Sequence, residues 1–169
     1  ITADSNSKVY DGTALTDSGY SITAGTLAPG DTLDSVTVTG SQTDVGSSPN
    51  VPSAAVIKDG TVDVTANYDI TYVNGTLTVT KTALEITADS NSKVYDGTAL
   101  TDSGYSITAG TLAPGDTLDS VTVTGSQTDV GSSPNVPSAA VIKDGTVDVT
   151  DNYDITYVNG TLTVTKRAL

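Results

Sequence analysis

Apolar residues alternate with Thr, Ser and Asp along most of this chain, and a period of two is typical of half-buried β-strands. In the first 85 residues this pattern predicts strands at residues 1–10, 20–23, 35–39, 54–58 and 61–65. Apolar spacing typical of an amphipathic helix is weak everywhere. We therefore expect about six to eight short strands in this stretch. A single helical turn is the longest helix expected, with residues 63–67 as its candidate.

Gly and Pro interrupt these runs where the chain is predicted to turn. Residues 26–31 contain Pro29-Gly30 and are expected to form a turn. Residues 46–52 carry prolines at positions 49 and 52 and are expected to form a loop. The loop is expected because a proline cannot donate to a strand ladder.

The strongest local pattern is an Asn-Gly pair between two alternating runs, residues 68–73 and 76–81. Asn74-Gly75 favours a type I′ hairpin turn, because both central residues of that turn need positive φ. The pattern predicts an antiparallel hairpin with one apolar face. That face is predicted to carry the core residues Tyr68, Ile70, Tyr72, Leu77 and Val79, with Tyr153, Ile155, Tyr157, Leu162 and Val164 as their later counterparts.

The sequence repeats itself with an offset of 85 residues, so that Ile86 begins a second copy of the segment that starts at Ile1. Two positions differ between the copies, Ala66/Asp151 and Thr82/Arg167. A period of this length is long for a solenoid unit and sufficient for a small independent domain. We expect an all-β fold of two tandem, elongated, sandwich-like two-sheet domains, residues 1–83 and 84–169. Each is expected to fold by itself, and the two are expected to lie end to end.

Composition disfavours several classes of function. The chain has no Cys and no His, so disulfides and the usual ligands of zinc, copper and iron are absent. Without His, no imidazole base can activate a serine, and a carboxylate pair for glycoside hydrolysis would need a cleft. We expect no enzymatic activity and no cofactor. The net charge of −13 disfavours nucleic acid and anionic membranes as partners and favours solubility.

Carboxylates are ligands for calcium, so a weak calcium site is one alternative that the composition does not exclude. Extracellular modules bind calcium at about 10⁻⁴ to 10⁻³ M. The loops have no EF-hand pattern, and Asp151 occurs in the second copy only, so solvated turn acids are the favoured interpretation. The candidate ligands are Asp59, Asp63, Asp69, Asp144, Asp148 and Asp154.

Residues 8–13, Lys-Val-Tyr-Asp-Gly-Thr, combine a charge, an aromatic ring and a turn signal. They fit a functional site or a strand end with a buried Tyr10 and an Asp-Gly turn, and the second interpretation is favoured. A second functional interpretation of Lys8 is an intramolecular isopeptide bond to an asparagine such as Asn74. That bond requires an apolar pocket and a third, acidic side chain. A solvated lysine and a turn asparagine are simpler, and we expect no isopeptide bond.

The opening motif KVYDGT at residues 8–13 and the closing motif NYDITYVNGTLTVTK at residues 67–81 resemble a known family. They are similar to the YDG- and MBG-type tandem repeats of large bacterial surface adhesins, which open with a Lys-x-Tyr motif and close with a comparable hairpin sequence. The resemblance covers the whole period of each copy. It implies an extracellular repeat on the bacterial cell surface, between a ligand-binding head and an anchor. It implies no catalytic or binding residues.

Two functions remain after these exclusions, a stalk spacer and an adhesive module that binds a host glycan or protein. Extra copies lengthen a spacer, and they give weak binding sites avidity. The spacer is favoured because outward positions lack spare aromatics and the join from Lys81 to Ile86 is short, without Gly or Pro. We expect a monomer cut from a longer array, with neighbouring repeats as its partners. No secretory signal or membrane span is recognised, and no membrane insertion is expected of this segment.

Overall fold

A long, bent strand forms the centre of each repeat. The computed structural model describes residues 1–169 and divides them into two compact units, Ile1–Thr80 and Lys81–Leu169. The predicted all-β fold with two tandem domains is confirmed, because every element except two short 3-10 turns is a strand. None of the chain's helices is long and apolar enough to cross a membrane.

The first unit has seven strands and one 3-10 turn, Thr65–Asn67, which confirms the helical turn predicted there. The strands are β1 Thr2–Ala3, β2 Asn6–Val9, β3 Tyr20–Ser21, β4 Asp31–Thr39, β5 Gly46–Asp59, β6 Val62–Asp63 and β7 Gly75–Thr80.

The second unit has eight strands and a matching 3-10 turn, Thr150–Asn152. The strands are β8 Thr82–Ala88, β9 Asn91–Val94, β10 Tyr105–Ala109, β11 Asp116–Thr124, β12 Gly131–Asp144, β13 Val147–Asp148, β14 Tyr153–Val158 and β15 Gly160–Thr165.

The larger sheet of each unit has the same topology. Its strand order is β2-β7-β5-β4 in the first unit and β9-β15-β12-β11 in the second, with β6 added to β5 and β13 to β12. The pairs β2/β7 and β9/β15 are parallel, whereas the central pairs are antiparallel. The smaller sheets differ, since the first unit has only the two-stranded β1-β3 and the second has the three-stranded β10-β8-β14.

Strand β5 corrects the loop predicted at residues 46–52. These residues are the first half of a 14-residue strand, in which Gly46–Asn50 pair with β7 and the following residues pair with β4. Prolines are tolerated here because alternate residues of an antiparallel strand do not donate to a given partner, and the stretch that contains both prolines pairs on one side at a time. The switch of partner comes between Asn50 and Val51. Ala54, whose φ of 48° is in the left-handed region, lies at an irregularity in the pairing with β4, between Ser53 and Val56.

The hairpin predicted around Asn74-Gly75 is wrong. In the second unit β14 pairs in parallel with β8, while β15 pairs with β12 and β9, so the two predicted hairpin strands belong to different sheets. Gly75 has a different role from a turn residue, since a Cβ atom there would lie 2.1 Å from the carbonyl oxygen of Asp4. The glycine permits this close backbone approach, and any larger residue would push the two segments apart.

The single strand predicted at residues 1–10 is divided in two by Asp4-Ser5. β1 pairs with β3 and β2 pairs with β7, so the chain passes from the small sheet to the large one at this break. The predicted turn at residues 26–31 is confirmed. The amide of Asp31 donates to the carbonyl of Ala28 at 3.0 Å, and Gly30 has a φ of 98°, as the third residue of a type II turn requires.

The core of each unit contains the aliphatic residues expected from the last strand. Leu77 and Leu162 are fully buried, and Val79 and Val164 nearly so. The prediction that Tyr72 and Tyr157 are core residues is wrong, because each residue is 37% exposed. Their hydroxyls are anchored inward instead, and accept backbone hydrogen bonds from Ala55 and Ala140 at 2.8 Å.

Candidate functional site

The first unit has an open apolar groove of about 440 Å³. It lies between the segment after β3 and the segment before β7, with the ends of β4 and β5 beneath it. Its polar margin includes Asp69 and Thr71. The apolar side chains that line it are Ile22, Leu27, Leu33, Ile57, Ile70 and Val73.

One wall of this groove is a backbone edge with few partners. Residues 68–73 form no strand, and their ladder is limited to a bridge between Thr2 and Val73. The Ile1 ammonium group donates to the Thr71 carbonyl at 2.7 Å, and the Val73 amide donates to the Ile1 carbonyl at 2.9 Å. An extended segment with unpaired backbone groups is a template for one more strand.

The second unit has the same wall fully paired. There β8 lies between β10 and β14, and its parallel register with β14 places Leu84 opposite Ile155, the counterpart of Ile70. Leu84 is 2% exposed and Ile86 is fully buried. The pairing gives residues 153–158 a regular strand, whereas the identical residues 68–73 have none. The two units have the same sequence at these positions, so the difference in secondary structure comes from pairing with β8.

The same difference between the two units is seen in the surroundings of two equivalent glycines. Gly25 and Gly110 both have a φ of 78°. A Cβ atom at Gly110 would lie 2.3 Å from the carbonyl oxygen of Ala83, whereas one at Gly25 would meet nothing within 4 Å. The space beside Gly25 therefore corresponds to space that the backbone of β8 occupies in the second unit.

A tyrosine closes one end of each groove region. The Tyr68 hydroxyl accepts from the Ala28 amide at 2.9 Å and donates to the Asp31 carboxylate, and the hydrogen bond to Asp31 raises the pKa of Tyr68. Tyr153 makes the equivalent bonds and is 3% exposed. These bonds fix the turn at residues 28–31 to the wall of the groove.

The Lys8–Thr13 segment forms a compact polar loop. The Lys8 ammonium group donates to the Asp11 carboxylate at 2.6 Å and to the Thr13 carbonyl and hydroxyl. Asp11 also accepts from the Thr13 amide, and these bonds, with that from Lys8 the strongest, lower the pKa of Asp11 to about 2. Tyr10 is buried beside this turn, and Gly12 has a φ of 78°. The lysine amine is therefore bonded within its own loop and makes no bond to Asn74.

A buried asparagine that no sequence pattern reveals ties the central strand of each unit to two loop segments. Asn50 is fully buried, and its amide group donates at 3.0 Å to the carbonyls of Asp4 and Asp17. Its Oδ1 atom has no protein partner, and Asn135 repeats both features. The sequence pattern places Asn50, which follows Pro49, in a predicted loop. Its role is not visible there because its hydrogen-bond partners are distant in sequence.

The chain matches one family model twice. The family described as MBG domain (YGX type) matches residues 1–78 and again residues 84–163. The chain belongs to the MBG domain family. Searches of curated proteins and of solved structures each gave no match. The resemblance to tandem MBG-type repeats is thereby confirmed, and it covers nearly all of both units.

The carboxylates considered for calcium are dispersed over the two MBG domains. No group of three acidic side chains comes close enough to hold a metal ion. The Asp63 carboxylate accepts from the Thr65 amide at 2.9 Å, and its hydrogen bonds with Thr65 lower its pKa. Asp59 ends β5, and Asp69 lies at the groove. Asp144 and Asp148 repeat the positions of Asp59 and Asp63, whereas Asp154 lies in β14 opposite Ala83 of β8. The expectation that these are solvated turn acids and no calcium site stays a prediction to be tested.

The groove of the first MBG domain was missed because its pattern is not local. The local pattern predicts a hairpin at residues 68–73 and a simple linker at the short join between the copies. One signal was present in the sequence. Ala83-Leu84 at that join recurs as Ala168-Leu169, at the repeat offset of 85 residues. An apolar residue that recurs at the same position after each copy indicates that this segment packs against a domain.

Proposed function

We propose that the two MBG domains are load-bearing spacers in the stalk of a bacterial surface protein, located outside the cell. The observation that carries the proposal is the parallel pairing of the first and last strands of the larger sheet. In the first unit β2 pairs with β7 from Asn6↔Leu77 to Val9↔Thr80. The second unit repeats this with β9 and β15.

Parallel terminal strands resist a pull on the two ends of a domain. Force at the N-terminus draws β2 backward along its axis, and force at the C-terminus draws β7 forward. Because the strands are parallel, these two forces slide one strand past the other and load all of their evenly spaced hydrogen bonds together. Forced unfolding depends on the barrier to unfolding, and simultaneous rupture of several bonds raises that barrier.

The junction between the units supports the same function. β7 ends at Thr80 and β8 begins at Thr82, so Lys81 is the only residue between two strands. A stalk requires such continuity, since a flexible Gly- or Ser-rich linker would absorb tension by extension. The end-to-end arrangement expected from the sequence stays a prediction, which the radius of gyration from small-angle scattering would test.

The adhesive alternative has less support. Avidity requires the same accessible site in each copy. The one apolar groove described above is open in the first unit, but its counterpart contains Leu84, which is 2% exposed. A repeated host-binding site at this position would therefore be available only once.

Single-molecule force spectroscopy tests the spacer proposal. Pulled from its termini, the chain is expected to unfold in two separate events of similar force, each releasing up to about 260–290 Å of chain. The matched control changes only the direction of load. The chain contains no cysteine, so handles attached through Ser5→Cys and Asn74→Cys pull on the same end of β2 and β7.

The control geometry should peel the two strands apart one hydrogen bond at a time, at a clearly lower force. Ser90→Cys and Asn159→Cys provide the same comparison in the second unit. Equal forces in the two geometries would remove the mechanical argument, and an N-to-C trace without resolved unfolding events would do the same.

A further inference from the structure

Two segments of the second unit, residues 82–94 and 153–165, form one parallel ribbon that passes through both sheets. In its first half β8 pairs with β14, and in its second half β9 pairs with β15. Every residue pairs with the one 71 positions later, as 82 with 153 and 91 with 162. The register is therefore unbroken between the smaller sheet and the larger one, with six pairs in the first half and four in the second.

The ladder is interrupted where the ribbon crosses from one sheet to the other, at residues 88–90 and 159–161. Ser90 and Thr161 are partners in this register. In a parallel ladder an amide donates to the carbonyl of the residue before its partner, as the bridge in the first unit shows. The Thr161 amide would thus donate to the Asp89 carbonyl. It donates instead to the Ser90 hydroxyl, at 3.0 Å.

A buried side chain satisfies the carbonyl that this change leaves without its amide. The Asn135 amide group donates at 3.0 Å to the carbonyls of Asp89 and Asp102, and Asn135 is fully buried. A Cβ atom at Gly160 would overlap the Asp89 carbonyl oxygen, so the glycine allows the two segments to stay in contact at the crossing. Two side-chain hydrogen bonds therefore replace one backbone hydrogen bond of the ladder.

The first unit has the same two bonds. The Thr76 amide donates to the Ser5 hydroxyl at 2.9 Å, and the Asn50 amide group donates to the Asp4 carbonyl at 3.0 Å. Ser5 is exposed, and so is Ser90 in the second unit. Burial does not account for a serine at these positions, whereas the bond from the opposite strand does.

We propose that Ser90 and Asn135 hold the two halves of the ribbon together, so that both halves open in one step. Without the Ser90 bond, the six pairs of the first half separate while the larger sheet stays intact. The coupling is a property of the domain by itself. Its mechanical consequence rests on the proposed spacer function, because tension along the chain would then be resisted by the pairs of both halves at once.

Native-state hydrogen exchange of the full chain tests the coupling. In the natural chain, the most protected amides of β8 and of β9 should have the same protection, as members of one cooperative unit do. Ser90→Ala should accelerate exchange in β8 and β14 about fivefold more than in β9 and β15, since a typical hydrogen bond contributes about 1 kcal/mol. Unequal protection of the halves in the natural chain would overturn the proposal. Equal acceleration of both halves by Ser90→Ala would also overturn it, because the serine would then add only general stability.

Two further variants keep this test specific to the hydroxyl. Ser92→Ala removes an exposed serine from the same segment, and the Ser92 hydroxyl makes no described hydrogen bond. We expect it to leave both halves unchanged. Ser90→Thr retains a hydroxyl and should keep the halves coupled. A separation of the halves by Ser92→Ala, or by Ser90→Thr as much as by Ser90→Ala, would contradict the assignment to the Ser90 hydroxyl.

Force spectroscopy distinguishes this inference from the spacer proposal. Pulled from its termini, the Ser90→Ala chain should keep one unfolding event of natural force, from the first unit, as an internal reference. The other unit should unfold about fivefold faster at constant force. The handle Ser90→Cys removes the same hydroxyl, so Ser90→Ala also separates loss of the bond from the change in load direction. If the natural chain gives two resolved events and Ser90→Ala changes neither, the spacer function stands and the coupling fails. If exchange shows the coupling but the natural chain gives no resolved events, the spacer function alone fails.

Discussion

The Tyr72 hydroxyl accepts a 2.8 Å hydrogen bond from the backbone amide of Ala55, the residue that follows left-handed Ala54. Tyr157 and Ala140 repeat this contact at the same distance. The bond ties a surface ring to the irregularity in the pairing of β4 with β5, between Ser53 and Val56. The tyrosine therefore stabilises this irregular part of β5 through its hydroxyl, although the residue is 37% exposed.

Removing this hydroxyl should destabilise the domains measurably. Tyr72→Phe combined with Tyr157→Phe leaves both buried amides without a partner, and we expect a loss of about 1 kcal/mol per domain. Chemical denaturation of the full chain measures the change. Tyr20→Phe is a suitable control because none of its described hydrogen bonds involves the hydroxyl. Unchanged stability would show that water replaces the tyrosine at Ala55.

The left-handed alanines should respond to glycine in the opposite direction from ordinary strand alanines. Ala54→Gly with Ala139→Gly relieves unfavourable backbone angles, and we expect each to stabilise its domain by about 0.5–1 kcal/mol. Ala55→Gly with Ala140→Gly is the adjacent control and should destabilise by a comparable amount. Thermal melting of the two double variants gives the comparison. A decrease in melting temperature for both would contradict the strain at Ala54.

The buried Asn50 should not tolerate a carboxylate. Asn50→Asp replaces a donor with an acceptor facing the carbonyls of Asp4 and Asp17, and we expect a loss of about 2–3 kcal/mol at neutral pH. Burial raises the pKa of such a carboxyl group, so the protonated form is favoured in the folded state. The defect should therefore shrink as the pH falls from 7 to 4. Asn74→Asp, at an exposed position, should change stability little.

The paired glycines separate steric contact from backbone conformation. Gly110→Ala and Gly25→Ala impose the same strain at a φ of 78°, but only the first places a Cβ 2.3 Å from the Ala83 carbonyl. We expect Gly110→Ala to be more destabilising by about 1–3 kcal/mol. Amide hydrogen exchange, resolved by unit, measures the difference. Equal losses would mean that β8 can shift away without cost.

The polar loop at Lys8 gives a pH prediction. The Asp11 carboxylate should titrate with a midpoint of about 2 in the folded chain, below its ordinary value of 3.8, because Lys8 and Thr13 donate to it. A lowered folded pKa contributes stability above the unfolded pKa, and that contribution is lost as the pH falls from about 4 through 2. Carbon-detected titration of the side chain measures the midpoint. Lys8→Gln should move it back toward 3.8, and no movement would exclude the lysine as the main cause.

Local chemistry made part of the site predictable. In the Lys8–Thr13 loop, the charge, the turn pair and the hydroxyl acceptor are neighbours in sequence, so the turn followed from the motif. The burial of Tyr10 did not, because its counterpart Tyr95 in the same motif is 38% exposed. The contacts of Asn50 could not be predicted, since Asp4 and Asp17 are 46 and 33 residues away along the chain. Nor could the open groove, since its lining residues have the same sequence in both copies.

The sequence by itself determined the repeat, the all-β class, the second part of β4, the Pro-Gly turn and the burial of Leu77 and Val79. These follow from alternation, turn chemistry and self-similarity, which act over a few residues or compare the chain with itself. Tertiary structure alone decided which strands pair and in which direction. Asn159-Gly160 fits a hairpin by every local rule, yet the flanking strands β14 and β15 join different sheets, because β8 and β9 offer parallel partners. Strand pairing depends on burial against distant segments, and local backbone preference is too weak to override it.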